Sequence, residues 1–182
     1  MVILMLATLN AAKRYMGIAE DNHSMDLDIV GALQAATAVI ERETKRSFEK
    51  KVYRQVIDGS GTQHIQLRNY PIHEVTKLLV CDKSIDSNSY TIESEYGMLF
   101  KRSGWPCGAR LIEVEYLAGY VLPSDEQGAE PSTLPKNIEL ACALFAQILL
   151  RNPGVKSERV GDISVTYEDG ELPAAVKSLI RL

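Results

Sequence analysis

The chain has 182 residues, a formal net charge of −4 at pH 7, 46% hydrophobic residues and 24% charged ones. That balance describes an ordinary globular chain, long enough to bury a core without staples and too apolar to be disordered. An acidic chain lacks the concentrated basic surface that grips nucleic acid by its phosphates, although it leaves open a protein that lets DNA pass.

The opening MVILMLA has no basic residue before its apolar run, and Lys13 and Arg14 follow closely, so no cleaved signal is expected. Thr8–Gly17 predicts a short helix, with the Thr8 hydroxyl accepting from a free N–H of the first turn and Gly17 ending it. After a polar loop, Ser24 is expected to cap a longer helix running to Arg46. Asp26 and Asp28 lie at its positive end and Lys45 and Arg46 at its negative end. Met25, Ile29, Leu33, Ala36 and Ile40 recur along it at helical spacing.

Near Phe48 the apolar period drops from about 3.6 to about 2. Lys51–Ile57, His64–Leu67, Val75–Val80, Tyr90–Ile92, Met98–Phe100 and Leu111–Leu117 are predicted strands. Glycine, proline, asparagine and aspartate turns separate them, which predicts a small antiparallel sandwich or barrel over residues 50–122. The Gly59–Thr62 stretch GSGT lacks a following GK[ST] and sits between two strands, so a hairpin turn is expected there, not a phosphate loop.

Residues 123–135 form a polar loop. Lys136–Arg151 then predicts a helix with apolar residues on almost every side, so it is enclosed on almost every side. It is either central in the monomer or turns one flank to another subunit; Ile138, Cys142, Phe145 and Leu149 are the candidates for such an interface. Its apolar run is too short to cross a bilayer and contains Glu139 and Gln147. VGDISVTY predicts a strand, Asp169-Gly170 a turn, and Pro173 suits the first position of a last helix. Leu172, Val176, Leu179 and Ile180 line one face of that helix, which is too short to stabilise itself in water.

Candidate chemistry is sparse. Glu113 and Glu115 share one face of a strand, an arrangement open to acid–base work but more often a solvated face. His64 and His73, with Asp58 and Asp82 near in sequence, show no catalytic signature. Trp105 can be an exposed anchor or a core residue. Cys81, Cys107 and Cys142 contain no CxxC pair and the histidines have no ligand spacing, so reduced, mostly buried thiols are expected and neither metal nor cofactor. Asp162, Glu168, Asp169 and Glu171 lack the ordered ligand set of a calcium loop.

Taken in order, ATLNAAKRYMGI, a β insertion, the apolar helix of LPKNIELACALFAQILLRNPG and then VGDISVTY followed by LPAAVKSLI resemble the head-tail adaptor (head completion) proteins of long-tailed bacteriophages. The resemblance implies an α+β fold. An α-helical adaptor core, built on the long N-terminal helix and the apolar central helix, would carry an inserted antiparallel β subdomain at 50–122 and a C-terminal docking segment at 157–182. It further implies a non-enzymatic neck protein, made in the bacterial host cytoplasm, that forms a dodecameric ring of like copies below the portal protein.

Such a ring extends the DNA channel, lets DNA through without specific binding, and offers a platform to a downstream stopper or tail protein. No membrane partner is implied. The family's C-terminal segment docks on the portal; here that segment comprises Leu172, Pro173, Val176, Leu179, Ile180 and Leu182. A tail-completion or other assembly protein is the alternative, and a small hydrolase using the β block a more distant one.

Overall fold

The computed structural model describes residues 5–151, 157–160, 163–166 and 172–180. The chain divides into two units, one made of 1–44 and 122–182 and the other of 45–121. The second is therefore an insertion in the first. The fold is α+β with antiparallel sheets.

In the first unit α1 spans Leu9–Met16, α2 Asp26–Thr44, α3 Lys136–Arg151 and α4 Ala174–Leu179. The expected ends of α1 hold. Thr8 Oγ1 accepts from Ala11 N at 3.1 Å, and Gly17 takes the left-handed φ of 70° that terminates the helix. Asn10 N, another orphan donor of that first turn, is taken by Asp125 Oδ2 at 3.0 Å, so the acidic loop after residue 122 contributes a second cap. Ser24 does not cap α2. Its hydroxyl and its N–H both donate to Asn22 Oδ1, and the helix starts two residues later. Its end comes at Thr44, because Lys45 turns left-handed at φ 55°.

A buried cation joins α1 to the start of α2. Lys13 is 1% exposed; its Nζ lies 2.6 Å from Asp26 Oδ1 and donates to Glu20 O at 3.1 Å. His23 Nδ1 lies 2.8 Å from the other Asp26 oxygen. Hydrogen bonds from Lys13 and then His23 hold the Asp26 carboxyl below its ordinary value, against a smaller opposing effect of burial.

The centre of this unit is α3, with α1, α2 and α4 packed on it. Leu33, Ala36 and Ile40 of α2 and Ile138, Ala141, Cys142 and Ala146 of α3 are fully buried. The alanines let the two backbones approach closely. Thr37 Oγ1 accepts from Leu6 N at 3.1 Å and lies 3.6 Å from Cys142 Sγ. Burial pushes the Cys142 thiol up to about 11. The expectation of mostly buried thiols fails for the other two, since Cys81 and Cys107 are exposed on the β unit.

In the second unit β1 spans Lys51–Ser60, β2 His64–Gln66, β3 Ile72–Val80, β4 Lys83–Ser84, β5 Thr91–Glu93, β6 Met98–Phe100 and β7 Cys107–Ala118. They make a four-stranded sheet in the order β1-β7-β3-β4 and a three-stranded sheet in the order β2-β6-β5. Ile65, Leu67 and Leu99 share one core with Ile72, Leu78, Trp105, Ile112, Val114 and Tyr116. The stretch 59–62 does not close a hairpin between β1 and β2. Instead β1 continues through Ser60 alongside β7, with a bulge between Ile57 and Gly59, and the chain then passes to the other sheet. Glycine is required at 59, where a Cβ would sit 2.0 Å from Pro106 O. Near the start of the unit Arg46 is 4% exposed and lies over the Tyr70 ring at 3.7 Å and the Phe48 ring at 4.5 Å.

The chain also carries a hairpin of β8 (Ser157–Val160) and β9 (Ile163–Thr166), where one strand was expected. It pairs Ser157 with Thr166 and Val160 with Ile163. Gly161, Asp162, Tyr167 and the Asp169-Gly170 turn lie outside the described residues.

Three outcomes follow from this packing. The depressed Asp26 carboxyl binds its proton less readily folded than unfolded. Its contribution is therefore complete above the ordinary value of 3.8 and is lost as the pH falls through the lowered one. Thermal unfolding followed against pH should show an acid limb that Asp26→Asn flattens. Under native conditions a thiol reagent should modify Cys81 and Cys107 rapidly, with Cys142 reacting only on unfolding; mass spectrometry of the labelled protein checks this. Trp105→Ala should destabilise the 45–121 unit by about 3–5 kcal/mol, read by denaturant unfolding of that unit.

Candidate functional site

The residues expected to carry function divide by burial. Leu172 is 4% exposed and Val176 fully buried, and α4 packs on α3. Asn137 Nδ2 of α3 donates to Leu179 O at 2.7 Å, so a side chain of α3 closes the end of α4. The last helix therefore rests on its own chain. Leu172 and Val176 are spent on that internal contact. Pro173, Leu179 and Ile180 are half-buried and present their remaining surface outward. Leu182 lies outside the described residues.

The proposed flank of the apolar helix is corrected in the same way. Ile138 and Cys142 are fully buried and Phe145 is 8% exposed, so these three belong to the interior. The physical reason is that α1, α2 and α4 all use α3 as their floor. Leu149 is half-buried, as are Leu144, Ile148 and Leu150 around it. Apolar surface that is still accessible on α3 is thus concentrated toward its C-terminal turns.

The candidate chemistry resolves into structural roles. Glu113 accepts from Arg54 Nη2 at 2.8 Å and Lys77 Nζ at 3.4 Å across three strands. Burial raises its carboxyl, but Lys77 and Arg54 together outweigh this and hold it below the ordinary range. A general acid would need the opposite shift. Glu115 accepts from Thr76 Oγ1. His73 Nε2 lies 2.7 Å from Gly119 O, His64 stacks on Phe100, and Asp58 Oδ1 accepts from Arg110 N at 2.7 Å, so these groups do not converge. Trp105 is 3% exposed, and its Nε1–H donates to Gln63 O at 3.1 Å and Leu99 O at 3.3 Å, which makes it a core residue. Among the described residues no group of three His, Cys, Asp or Glu side chains is placed to hold a metal, and no helix is long and apolar enough to cross a membrane.

Exposed apolar side chains include Leu27 at 89%, with Tyr15 on the same helical unit, and Val52 and Val56 on β1; Met25, expected at the head of the buried stripe, is 42% exposed because it precedes the helix. Leu27 sits in the run MDLDIV, where the buried stripe uses Ile29 and not its neighbour. The signal was an apolar residue off the helix's inward face.

With this geometry in view, a family model described as head completion protein matches residues 5–182. Among curated proteins, none matches the chain. Solved structures of several chains share the fold, among them the following three. A chain in the neck of an empty GTA particle computed with C6 symmetry has a TM-score of 0.57 and 16% identity, covering 96% of this chain and 87% of that one. A chain in the neck of a native GTA particle computed with C12 symmetry has a TM-score of 0.51 and 14% identity, covering 83% and 80%. A chain in the virion of a native gene transfer agent particle has a TM-score of 0.56 and 16% identity, covering 96% and 87%.

Proposed function

Because this chain belongs to the head completion protein family, we propose that it is a structural protein of a virion neck, a head-tail adaptor that stands in a ring of like copies below the portal. The observation that carries this reading is the family match over 5–182, which takes in both the β insertion and the C-terminal segment. The likeness to neck chains of C6- and C12-symmetric particles supports a cyclic arrangement. The family and these neighbours support a structural role over a catalytic one. DNA would pass the ring without being gripped, consistent with the net charge of −4. The next partner along the neck would be a stopper or tail protein.

The docking segment on the portal is α4, narrowed to its outer side. Leu172 and Val176 anchor the helix on α3, and Leu179 and Ile180, with Pro173, offer the contact. Completing the burial of a side chain such as Leu or Ile stabilises a complex by up to about 1.5–3 kcal/mol before ordering costs. A preformed helix loses less entropy on docking than a disordered tail, and repetition around a ring multiplies the gain by avidity.

Removing the whole segment would also uncover α3, so point changes on the outer side are the cleaner test. Leu179→Asp with Ile180→Asp should leave the thermal unfolding of the isolated protein little changed and lower attachment to filled, adaptor-free capsids by about tenfold or more. Normal occupancy of the doubly substituted protein on those capsids would remove α4 as the docking element.

A further inference from the structure

The two units carry opposite charge. Residues 45–121 hold eleven Lys and Arg against nine Asp and Glu, whereas the rest of the chain holds nine against fifteen. The basic excess of the β unit has a place. Hydrogen bonds gather its loops at one end: Trp105 N to Thr62 O and Lys101 N to Gln63 O, both 2.8 Å, and Gln63 Nε2 to Arg102 O at 2.9 Å. The β3–β4 turn is tied to the first part of β7, the strand that follows those loops, through Cys81 N to Leu111 O at 2.8 Å.

Cys81, Asp82 and Arg110 all hold left-handed φ values of 50–60° there. Such backbone is uncommon away from glycine and persists where the surroundings over-determine it. The end is therefore well pinned. Lys83, Arg102 and Arg110 stand exposed on it, and Lys101 lies over the Trp105 ring at 5.3 Å. The acids nearby include Asp58, one of whose oxygens accepts the Arg110 N–H, Asp82, and Asp86, which acts on the Tyr90 hydroxyl beside Trp105.

The helical unit has a surface of the complementary kind. Around the α1–α2 connection Leu27 is 89% exposed, Tyr15 47% and Met25 42%. Glu20, Asp21 and Asp28 are exposed near them in sequence against one exposed arginine, Arg14 beside Tyr15, and Asp26 is already committed to Lys13 and His23. An accessible apolar group rimmed by acids suits a protein partner with a basic, well-ordered surface.

We propose that in the ring the basic end of the β unit of one copy seats against the acid-rimmed apolar corner of the next copy's helical unit. This rests on the ring reading above. Copies each carrying −4 repel one another on assembly, and a ring closes only if two different, complementary flanks meet. Opposite charge on the two units supplies such flanks from a single sequence. Duplex DNA is the other candidate for the basic end. It is disfavoured because acids, Asp58, Asp82 and Asp86, stand among the cations, and because phosphates would leave the apolar corner uncovered.

The test is charge reversal followed by compensation in full-length protein, scored as copies per filled particle. Arg102→Glu with Arg110→Glu should lower ring occupancy by about tenfold, the loss expected when close opposite charges become repulsive. Adding Asp21→Lys and Asp28→Lys to the same chain should restore it, and the isolated variants should unfold at the wild-type temperature. Full occupancy of the first variant, or failure of the folded four-site variant to recover, overturns the proposal. If the first variant fills the ring while a photo-crosslinker at Ser103 loses its DNA adduct, the basic end faces DNA and the copy-to-copy contact is wrong. Absence of the wild-type protein from particles would instead defeat the neck reading itself.

Discussion

The helical unit depends on the close approach of α2 and α3. Ala36 and Leu33 on one helix and Ala141, Cys142 and Ala146 on the other are fully buried, and small side chains keep the backbones near. Burial of this seam fixes where every later element of the unit can sit. α1 and α4 each pack on α3, and Leu6 is tied to α2 through Thr37. A polar or bulky residue at Ala141 or Ala146 would be felt at several places at once, because packed interiors transmit strain.

The same constraint determines what is left for binding. Once α3 serves as a floor, its apolar circumference is largely consumed, and only its last turns keep accessible surface. α4 is likewise half consumed. Leu172 and Val176 are spent within the chain, so the helix rests on its own unit and only its outer residues keep accessible surface.

The β unit is organised around β7, which pairs with β1 on one side and β3 on the other. Its outward face pairs charges across strands, with Glu113 between Arg54 and Lys77, and its inward face carries Ile112, Val114 and Tyr116. A polar chain runs through the core edge as well. Ser47 N donates to Asn69 Oδ1, Asn69 N donates to Tyr116 Oη, and that hydroxyl donates to Gln55 Oε1. Buried polar groups satisfied in this way specify one arrangement of the strands more sharply than apolar contact alone.

The alternation in 51–57 and 111–117 was enough to identify β1 and β7, since a strand's two faces follow directly from a period of two. Thr8, Gly17 and the Leu33-Ala36-Ile40 stripe likewise determined α1 and the course of α2, because caps and periodicity act over a few residues. The family resemblance was legible in the order of such local elements. Which strand pairs with which was not, and β1 joins β7 across some fifty residues, not β2 next door. Nor could composition tell that Leu172, Val176 and Phe145 would be used internally while Leu27 stays bare. An apolar residue records only that its surface is better out of water. Which surface covers it is decided when distant segments meet, and at α3 that meeting left the chain's last helix seated on its own core.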